Sequence, residues 1–107
     1  MEYFVKIMPS AQENLEDIIY YIALDSPDRA ASFAKDLVAS ISNTLSTLPE
    51  GGAKHKGNIR KISYRGYTAF YRVKKYEKLV EILHFVNLSK PLVNSNTFAK
   101  IKIHSFL

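Results

Sequence analysis

The sequence predicts an α+β domain: an N-terminal strand, an antiparallel helical hairpin and a three-stranded antiparallel meander (β-α-α-β-β-β), with the helices packed on one sheet face. Apolar residues recur at helical spacing between residues 15 and 48. Three runs rich in Ile, Val, Tyr and Phe follow, with tight turns between them. We therefore expect residues 1–88 to form one domain, and residues 89–107 to form a C-terminal tail whose order the sequence does not define.

Residues 3–8 favour the first strand because they alternate loosely and are rich in strand-forming types. Pro9 ends this run. Ser10 and Glu13 then have the spacing of a capping box, in which each side chain satisfies the other residue's backbone N–H group. A helix is therefore predicted to begin here. Its apolar stripe consists of Leu15, Ile18, Ile19 and Ile22.

A second helix is predicted after a short break at residues 25–27. Ser26 is suited to the N-cap and Pro27 to the first helical position. Pro49 and the following glycines end the helix, which at about 21 residues is roughly 31 Å long. The connection is short, so the two helices should form an antiparallel hairpin. The apolar stripe of the second helix consists of Ala30, Phe33, Ala34, Leu37, Ile41, Leu45 and Leu48.

The three runs that follow the hairpin, residues 58–65, 67–75 and 79–86, have the composition of strands. Their short connections indicate antiparallel neighbours. In the last run, we expect His84 to share a sheet face with Val80, Ile82 and Val86. Residues 54–56 are expected to belong to a basic loop.

The charges divide the chain into two halves of opposite sign. Residues 1–53 contain eight acidic and three basic residues, a net charge of −5. Residues 54–107 contain twelve basic and two acidic residues, a net charge of +10. A region with one dominant sign attracts a polyanion or an acidic partner, so we expect the functional surface in the second half.

The composition also excludes several classes of protein. The chain has no cysteine, which rules out disulfides and thiolate metal sites. Its three histidines are far apart in sequence, so we expect no metal site and no cofactor. No apolar run approaches the length of about 18 residues that is needed to span a membrane, and the N-terminus lacks the pattern of a signal peptide. We therefore expect a cytoplasmic protein without a membrane partner.

Taken in order, these signals resemble the RelE/ParE superfamily of bacterial toxins from type II toxin–antitoxin (plasmid stabilisation) systems. Three segments carry the resemblance. The first is the helical-hairpin pattern of residues 11–33, and the second is Leu48-Pro49 with the basic loop and Ile59-Arg60-Lys61. The third is GYTAFYRV at residues 66–73 together with VEILHFV at residues 80–86. The resemblance covers most of residues 3–88.

The resemblance implies a toxin that a cognate antitoxin holds inactive. It also implies that the chain forms either a homodimer or a hetero-oligomer with that antitoxin. The two branches of the superfamily differ in target. The ParE-like branch inhibits DNA gyrase. The RelE-like branch consists of mRNA interferases, which cleave mRNA on the ribosome without a metal. A third alternative is a non-toxic basic binding module with the same fold.

Two positions favour the ParE-like branch. The RelE-like branch typically has an Arg directly after the Tyr of Gly66-Tyr67, where this chain has Thr68. It also has an Arg and then a Tyr just past the last strand, and residues 87–94 contain neither. In-line attack of a 2′-OH on a phosphate needs a base, an acid and cations that stabilise the transition state. The sequence therefore leans against an enzyme.

A non-standard nuclease site remains the alternative, and its candidate catalytic residues are His84, Arg72 and Arg60. Imidazole titrates near neutral pH, and a guanidinium group binds phosphate. A basic patch is also expected to bind the target or the antitoxin. Its residues are Lys54, His55, Lys56, Arg60, Lys61, Arg65 and Arg72. The alternative reading is that these charges only keep the strands and turns soluble.

Overall fold

A computed structural model describes residues 2–87; residue 1 and residues 88–107, which include the predicted C-terminal tail, lie outside the described residues. The described part contains two helices and five strands. The helices are α1 (Pro9–Ala23) and α2 (Pro27–Thr47), and the strands are β1 (Phe4–Ile7), β2 (Ala53–Lys56), β3 (Ile59–Tyr64), β4 (Tyr67–Lys74) and β5 (Leu79–Asn87). The predicted α+β class, with a helical hairpin on one sheet face, is confirmed.

The strands form one sheet in the order β1-β5-β4-β3-β2. β1 runs parallel to β5, with Phe4 opposite Leu79 and Ile7 opposite Ile82, while the other pairs are antiparallel. β2 is a difference from the prediction, because a loop was expected there. All four of its side chains are exposed, so the segment lacks the alternation of apolar and polar residues that reveals a half-buried strand.

α1 begins earlier than the capping-box spacing predicted. Pro9 takes the first turn, Met8 with an extended backbone is the N-cap, and no side chain caps the helix. Proline suits this place because it has no N–H group to leave unpaired and its φ is already close to helical. Ser10 therefore lies inside the first turn, and the predicted capping box is wrong.

The start of α2 follows the prediction. Ser26 is the N-cap, and its hydroxyl oxygen accepts a hydrogen bond of 3.3 Å from the backbone N–H of Arg29. Pro27 occupies the first turn, and the helix runs for 21 residues. Neither α1 nor α2 has the combination of length and hydrophobicity that crossing a membrane requires.

The core lies between the helical hairpin and one face of the sheet. The apolar stripe of α2 contributes Leu37 and Leu45, both fully buried. The sheet contributes Tyr71, Val80 and Ile82, which are also fully buried. Burying a large apolar side chain contributes about 1.5–3 kcal/mol, so this layer supplies much of the free energy that holds the helices on the sheet.

A β-bulge changes the face on which the end of β5 presents its side chains. Phe70 pairs with His84 but Tyr71 pairs with Ile82, so Leu83 is an extra residue in β5. An extra residue reverses the alternation beyond it. The expectation that His84 shares a face with Val80 and Ile82 is therefore wrong: Ile82 points into the core and His84 points to the opposite, open face.

The connection between α2 and β2 is fixed to the sheet through a buried hydroxyl group. The phenol oxygen of Tyr71 accepts a hydrogen bond of 2.9 Å from the backbone N–H of Gly52. A Cβ atom at Gly52 would lie 2.6 Å from that oxygen, so glycine is needed for the close approach. Burial raises the pKa of the Tyr71 hydroxyl, which therefore stays protonated at neutral pH.

Candidate functional site: the open face of the sheet and its basic edge

The sheet face opposite the helices forms the first part of the candidate site. Rows of cross-strand neighbours cross this face from β3 through β4 to β5. One row contains Lys61, Phe70 and His84. A second contains Ile59, Arg72 and Glu81, and a third contains Ser63, Thr68 and Val86. The antiparallel register thus brings cationic, aromatic and imidazole groups from three strands onto one surface.

An ion pair occupies the middle of the open face. Nε of Arg72 donates a hydrogen bond of 2.7 Å to Oε1 of Glu81, and Nζ of Lys74 lies 3.8 Å from the same oxygen. Glu81 is only 5% exposed. The hydrogen bond from Arg72 is the main cause that lowers the pKa of Glu81, and it outweighs the effect of burial. The positive charge of Arg72 is therefore compensated within the fold.

His84 lies on the exposed part of the open face, beside the N-terminal half of α1. Its Nδ1 is 3.4 Å from Oδ1 of Asn14, and that same oxygen accepts a hydrogen bond of 3.1 Å from the backbone N–H of Phe85. β1 pairs with β5 only as far as Ile82. Asn14 thus takes over as the partner of β5 where β1 ends, and it positions His84 at the same time.

A shallow depression of about 420 Å³ lies beside the ion pair. The ring of His55 approaches Phe70 edge-on, with 4.8 Å between ring centroids, and His84 is the cross-strand neighbour of Phe70 on its other side. The residues that line the depression are His55, Ile59, Phe70, Leu83, His84 and Val86. The two imidazoles on either side of the aromatic ring can accept and donate hydrogen bonds, and the ring can stack on a base.

Arg60 lies on the other face of β3, opposite Tyr71 in the strand register. Its Nη1 donates hydrogen bonds to the backbone oxygens of Glu50, at 3.2 Å, and Gly52, at 2.9 Å. Arg60 thus fastens the connection between α2 and β2. The structure separates it from Arg72 and His84, the other two candidate catalytic residues.

The predicted basic patch divides among three places. His55, Lys61 and Arg72 lie on the open face. Lys54, Lys56 and Arg60 lie at the β2 edge of the sheet. Arg65 lies at the turn between β3 and β4, where its φ is 48° and its guanidinium carbon lies 5.3 Å from the ring centroid of Tyr64.

Sequence reasoning missed Glu81 and Asn14. Glu81 lies in an apolar strand run, and an isolated acid there signals a buried partner, but only the strand register identifies Arg72. Asn14 gives no comparable signal, because an Asn within a helix is usually solvated. Thr68 was singled out by the sequence; its side chain is 1% exposed, and its hydroxyl oxygen lies 3.0 Å from that of Ser63.

Residues 2–87 contain no group of three His, Asp or Glu side chains arranged to hold a metal ion.

Comparison with solved structures shows the same fold in chains of three structures. A chain of the chromosomal ParDE toxin–antitoxin system from P. aeruginosa matches with a TM-score of 0.68 and 23% identity, over 80% of this chain and 96% of that chain. A chain of the RelBE2 toxin–antitoxin complex from Mycobacterium tuberculosis matches with a TM-score of 0.60 and 18% identity, over 81% and 99%. The isolated E. coli RelE toxin matches with a TM-score of 0.59 and 16% identity, over 92% and 98%.

No curated protein sequence matches the chain. The family model that describes the ParE toxin of the type II toxin–antitoxin system parDE matches residues 5–87, which include both helices and all five strands except the first residue of β1. The matched region contains all the residues assigned above to the open face and to the basic edge. The chain belongs to the ParE toxin family of type II toxin–antitoxin systems.

Proposed function

We propose that the chain is a cytoplasmic, ParE-like toxin that inhibits DNA gyrase without being an enzyme, and that a cognate antitoxin neutralises it. The family membership supports the toxin role. Two of the structural neighbours come from toxin–antitoxin systems, which supports an antitoxin as partner. Gyrase is proposed as the target for two reasons. The chain is closer to the ParE-like branch, and the open face, within the described residues, lacks a free arginine for RNA cleavage.

The observation that carries this choice is the ion pair at the centre of the open face. Metal-free RNA cleavage needs a cation that is free to meet the charge developing on the phosphate. Arg72 instead donates to Glu81 at 2.7 Å. Because its pKa is lowered, Glu81 remains ionised at neutral pH and keeps Arg72 engaged. Thr68, which stands where the RelE-like branch typically has an Arg, supplies no cation, and its buried hydroxyl group pairs with that of Ser63.

The proposal is tested by running a gyrase supercoiling assay beside an in vitro translation reaction with the purified protein. We expect supercoiling to be inhibited while translation continues. Translation arrest with cleaved mRNA and normal supercoiling would refute the proposal. The double variant H55A/H84A serves as the matched control. It should inhibit gyrase as the wild type does, because neither imidazole is assigned a part in gyrase inhibition.

A second candidate is a ribosome-dependent mRNA endonuclease, which the pair of histidines around Phe70 favours. Under this alternative, His55 and His84 serve as base and acid, and Lys61, in the same cross-strand row, meets the phosphate charge. Losing one proton-transfer group lowers a rate by about 10²–10⁴-fold. His84→Ala should then lower mRNA cleavage on ribosomes by that factor. If the wild-type protein cleaves no mRNA on ribosomes, this candidate function is eliminated.

We further propose that the antitoxin contacts two surfaces. The exposed side chains of Tyr21 and Leu24 at the end of α1 suit the apolar face of an amphipathic segment. The basic open face suits acidic side chains. Co-expression with the product of a neighbouring small acidic reading frame should restore growth and yield a complex on size exclusion. If expression of the chain alone leaves growth unchanged, the non-toxic binding module becomes the better explanation.

A further inference from the structure

Two cations face each other at the β2 edge of the sheet. Lys54 and Arg60 are register partners on the antiparallel strands β2 and β3, and the register shifts between Lys54 and Lys56. Like charges directly opposite each other cost stability. Among the described residues, neither has an acidic side chain within 4.0 Å. A local cost that no acidic side chain offsets is typical of a functional position.

A groove of about 560 Å³ opens beside this pair, between the β2–β3 turn and the β4–β5 turn. Four basic and two acidic side chains line it: Lys54, Arg60, Lys74, Lys75, Glu50 and Glu77. Lys75 and Lys74 already have acidic partners, because Nζ of Lys75 lies 3.1 Å from Oε2 of Glu50 and Nζ of Lys74 lies 3.8 Å from Oε1 of Glu81. In the part of the chain that the structure describes, Lys54 and Arg60 have none, and they outnumber Glu77. The balance of charge in the groove is therefore positive, and its volume is within the range of small-ligand sites.

Arg60 is held in place before any ligand arrives. The two hydrogen bonds from its Nη1 to the backbone oxygens of Glu50 and Gly52 fix the guanidinium group against the wall of the groove. Within residues 2–87, Nε and Nη2 make no hydrogen bond, so they remain available to an anion. A guanidinium group binds phosphate through two parallel N–H donors, and a fixed group loses little entropy on binding.

An aromatic side chain stands at the rim of the same groove. Tyr76 is fully exposed at the β4–β5 turn, and it lines the groove together with Lys74 and Lys75. An exposed aromatic ring beside a line of cations is the combination that binds single-stranded nucleic acid: the cations follow the phosphates and the ring stacks on a base.

We propose that this groove binds the phosphate backbone of a single nucleic-acid strand. Lys54 and Arg60 together contact one phosphate, and Tyr76 stacks on a neighbouring base. The bound phosphate removes the repulsion between the two cations, so binding and local stability are coupled. The inference goes beyond inhibition of gyrase and does not depend on it, because it is measured with the full chain and nucleic acid alone.

Titration of the full chain with a fluorescein-labelled single-stranded oligonucleotide at several salt concentrations tests the proposal. Removing one phosphate contact should lower the slope of log K against log[salt] by about 0.7 for a single strand. For Lys54→Ala we expect weaker binding and a decrease in slope no larger than this, because Arg60 retains part of the shared contact. Lys35→Ala is the control, since Lys35 is exposed on α2 in the acidic half and the variant loses the same charge. An equal effect of both variants, or no binding by the wild type, overturns the proposal.

Thermal unfolding distinguishes loss of a ligand contact from loss of the fold, because a misfolded variant would melt at a lower temperature. Without nucleic acid, Lys54→Ala should melt at the same or a higher temperature than the wild type, because the repulsion from Arg60 is relieved. Added oligonucleotide should raise the melting temperature of the wild type more than that of the variant. A lower melting temperature for the free variant contradicts the proposed like-charge cost.

The contribution of stacking and the nature of the anion are tested separately. Tyr76→Ala should weaken single-strand binding by about tenfold, because a base–aromatic stack is lost. Unchanged affinity would remove Tyr76 from the site. Polyglutamate is the competitor that distinguishes phosphate from carboxylate. If it displaces the oligonucleotide as well as an unlabelled strand does, the groove recognises acidic protein instead, and the proposal fails.

Discussion

At the residue scale, the environment of Glu81 decides what the open face can do. A carboxylate that is 5% exposed keeps its charge because Arg72 hydrogen-bonds to it and Lys74 lies nearby. The pair stabilises the fold and also withdraws a guanidinium group from chemistry. The same side chains therefore link the stability of the sheet to the argument against RNA cleavage.

Glu81→Gln should lower the free energy of unfolding by about 1–2 kcal/mol at neutral pH, because Arg72 loses its ionised partner while remaining partly solvated. The pKa of Glu81 is lowered in the fold, so its stabilising effect is complete above the ordinary value of 4.5 and is lost as the pH falls below it. Urea unfolding across this pH range measures the effect. The difference between wild type and variant should shrink as the pH falls. Glu77→Gln, at an exposed turn, is the control, with an expected change within about 0.5 kcal/mol.

Gly52→Ala should destabilise the fold by about 1–3 kcal/mol, because the new methyl group meets the hydroxyl group of Tyr71 at 2.6 Å. Thermal or urea unfolding measures the loss. Gly57→Ala is the comparison: its Cβ meets nothing within 4 Å, and only the φ of 58° opposes it. If Gly52→Ala lowers the free energy of unfolding no more than Gly57→Ala does, the connection between α2 and β2 can move away from the sheet without cost.

At the element scale, the junction between α1 and β5 joins the two layers where β1 has ended. The Oδ1 atom of Asn14 accepts from the backbone N–H of Phe85, so a helix side chain substitutes for a strand partner. This contact also holds the end of β5 beyond the bulge, where the strand presents His84 to the open face.

Asn14→Ala should cost about 1–2 kcal/mol of unfolding free energy, because it leaves the partly buried N–H group of Phe85 without its acceptor. Asn14→Asp keeps an acceptor and should retain most of the stability. Amide hydrogen exchange at Phe85 gives a local measurement, and exchange should be faster in the alanine variant only. Equal protection in all three proteins would show that another group satisfies this N–H.

The helices could be predicted from sequence because each has a local cause. Ser26 and Pro27 mark the start of α2, and the apolar stripe fixes the face that packs on the sheet. β2 could not be predicted, because a strand exposed on both sides has no alternation to detect. The bulge at Leu83 and the partner of Glu81 also escaped prediction. Both depend on the register between β4 and β5, which is set by the packed sheet and not by either strand alone.

At the scale of the whole molecule, the charge is distributed by layer and edge. The acidic first half forms β1 and the helical hairpin, and the basic second half forms most of the sheet. The predicted site residues follow this division, but they separate into an open face and a basic edge. The open face supports the proposed antitoxin contact, and the groove at the edge supports the proposed nucleic-acid contact.

We expect binding of the proposed acidic antitoxin to weaken with added salt, because the Debye length falls from about 10 Å at 0.1 M to about 3 Å at 1 M. The variant H55A/K61A, which removes two open-face groups, should reduce both the affinity and its dependence on salt. Calorimetry at two salt concentrations measures both. Lys35→Ala is the control. Should this control behave like the double variant, net charge and not the open face would govern binding.

The parallel pairing of β1 with β5 has a consequence for how the chain folds. Phe4 pairs with Leu79, so β1 can pair only after β5, the last described strand, has been synthesised. Closing so long a loop is entropically costly, and contacts of this kind slow folding. During synthesis, the helical hairpin leaves the ribosome before the strands that will cover its apolar face. The open face, which needs the register of β3, β4 and β5, therefore forms only after the chain through β5 has left the ribosome.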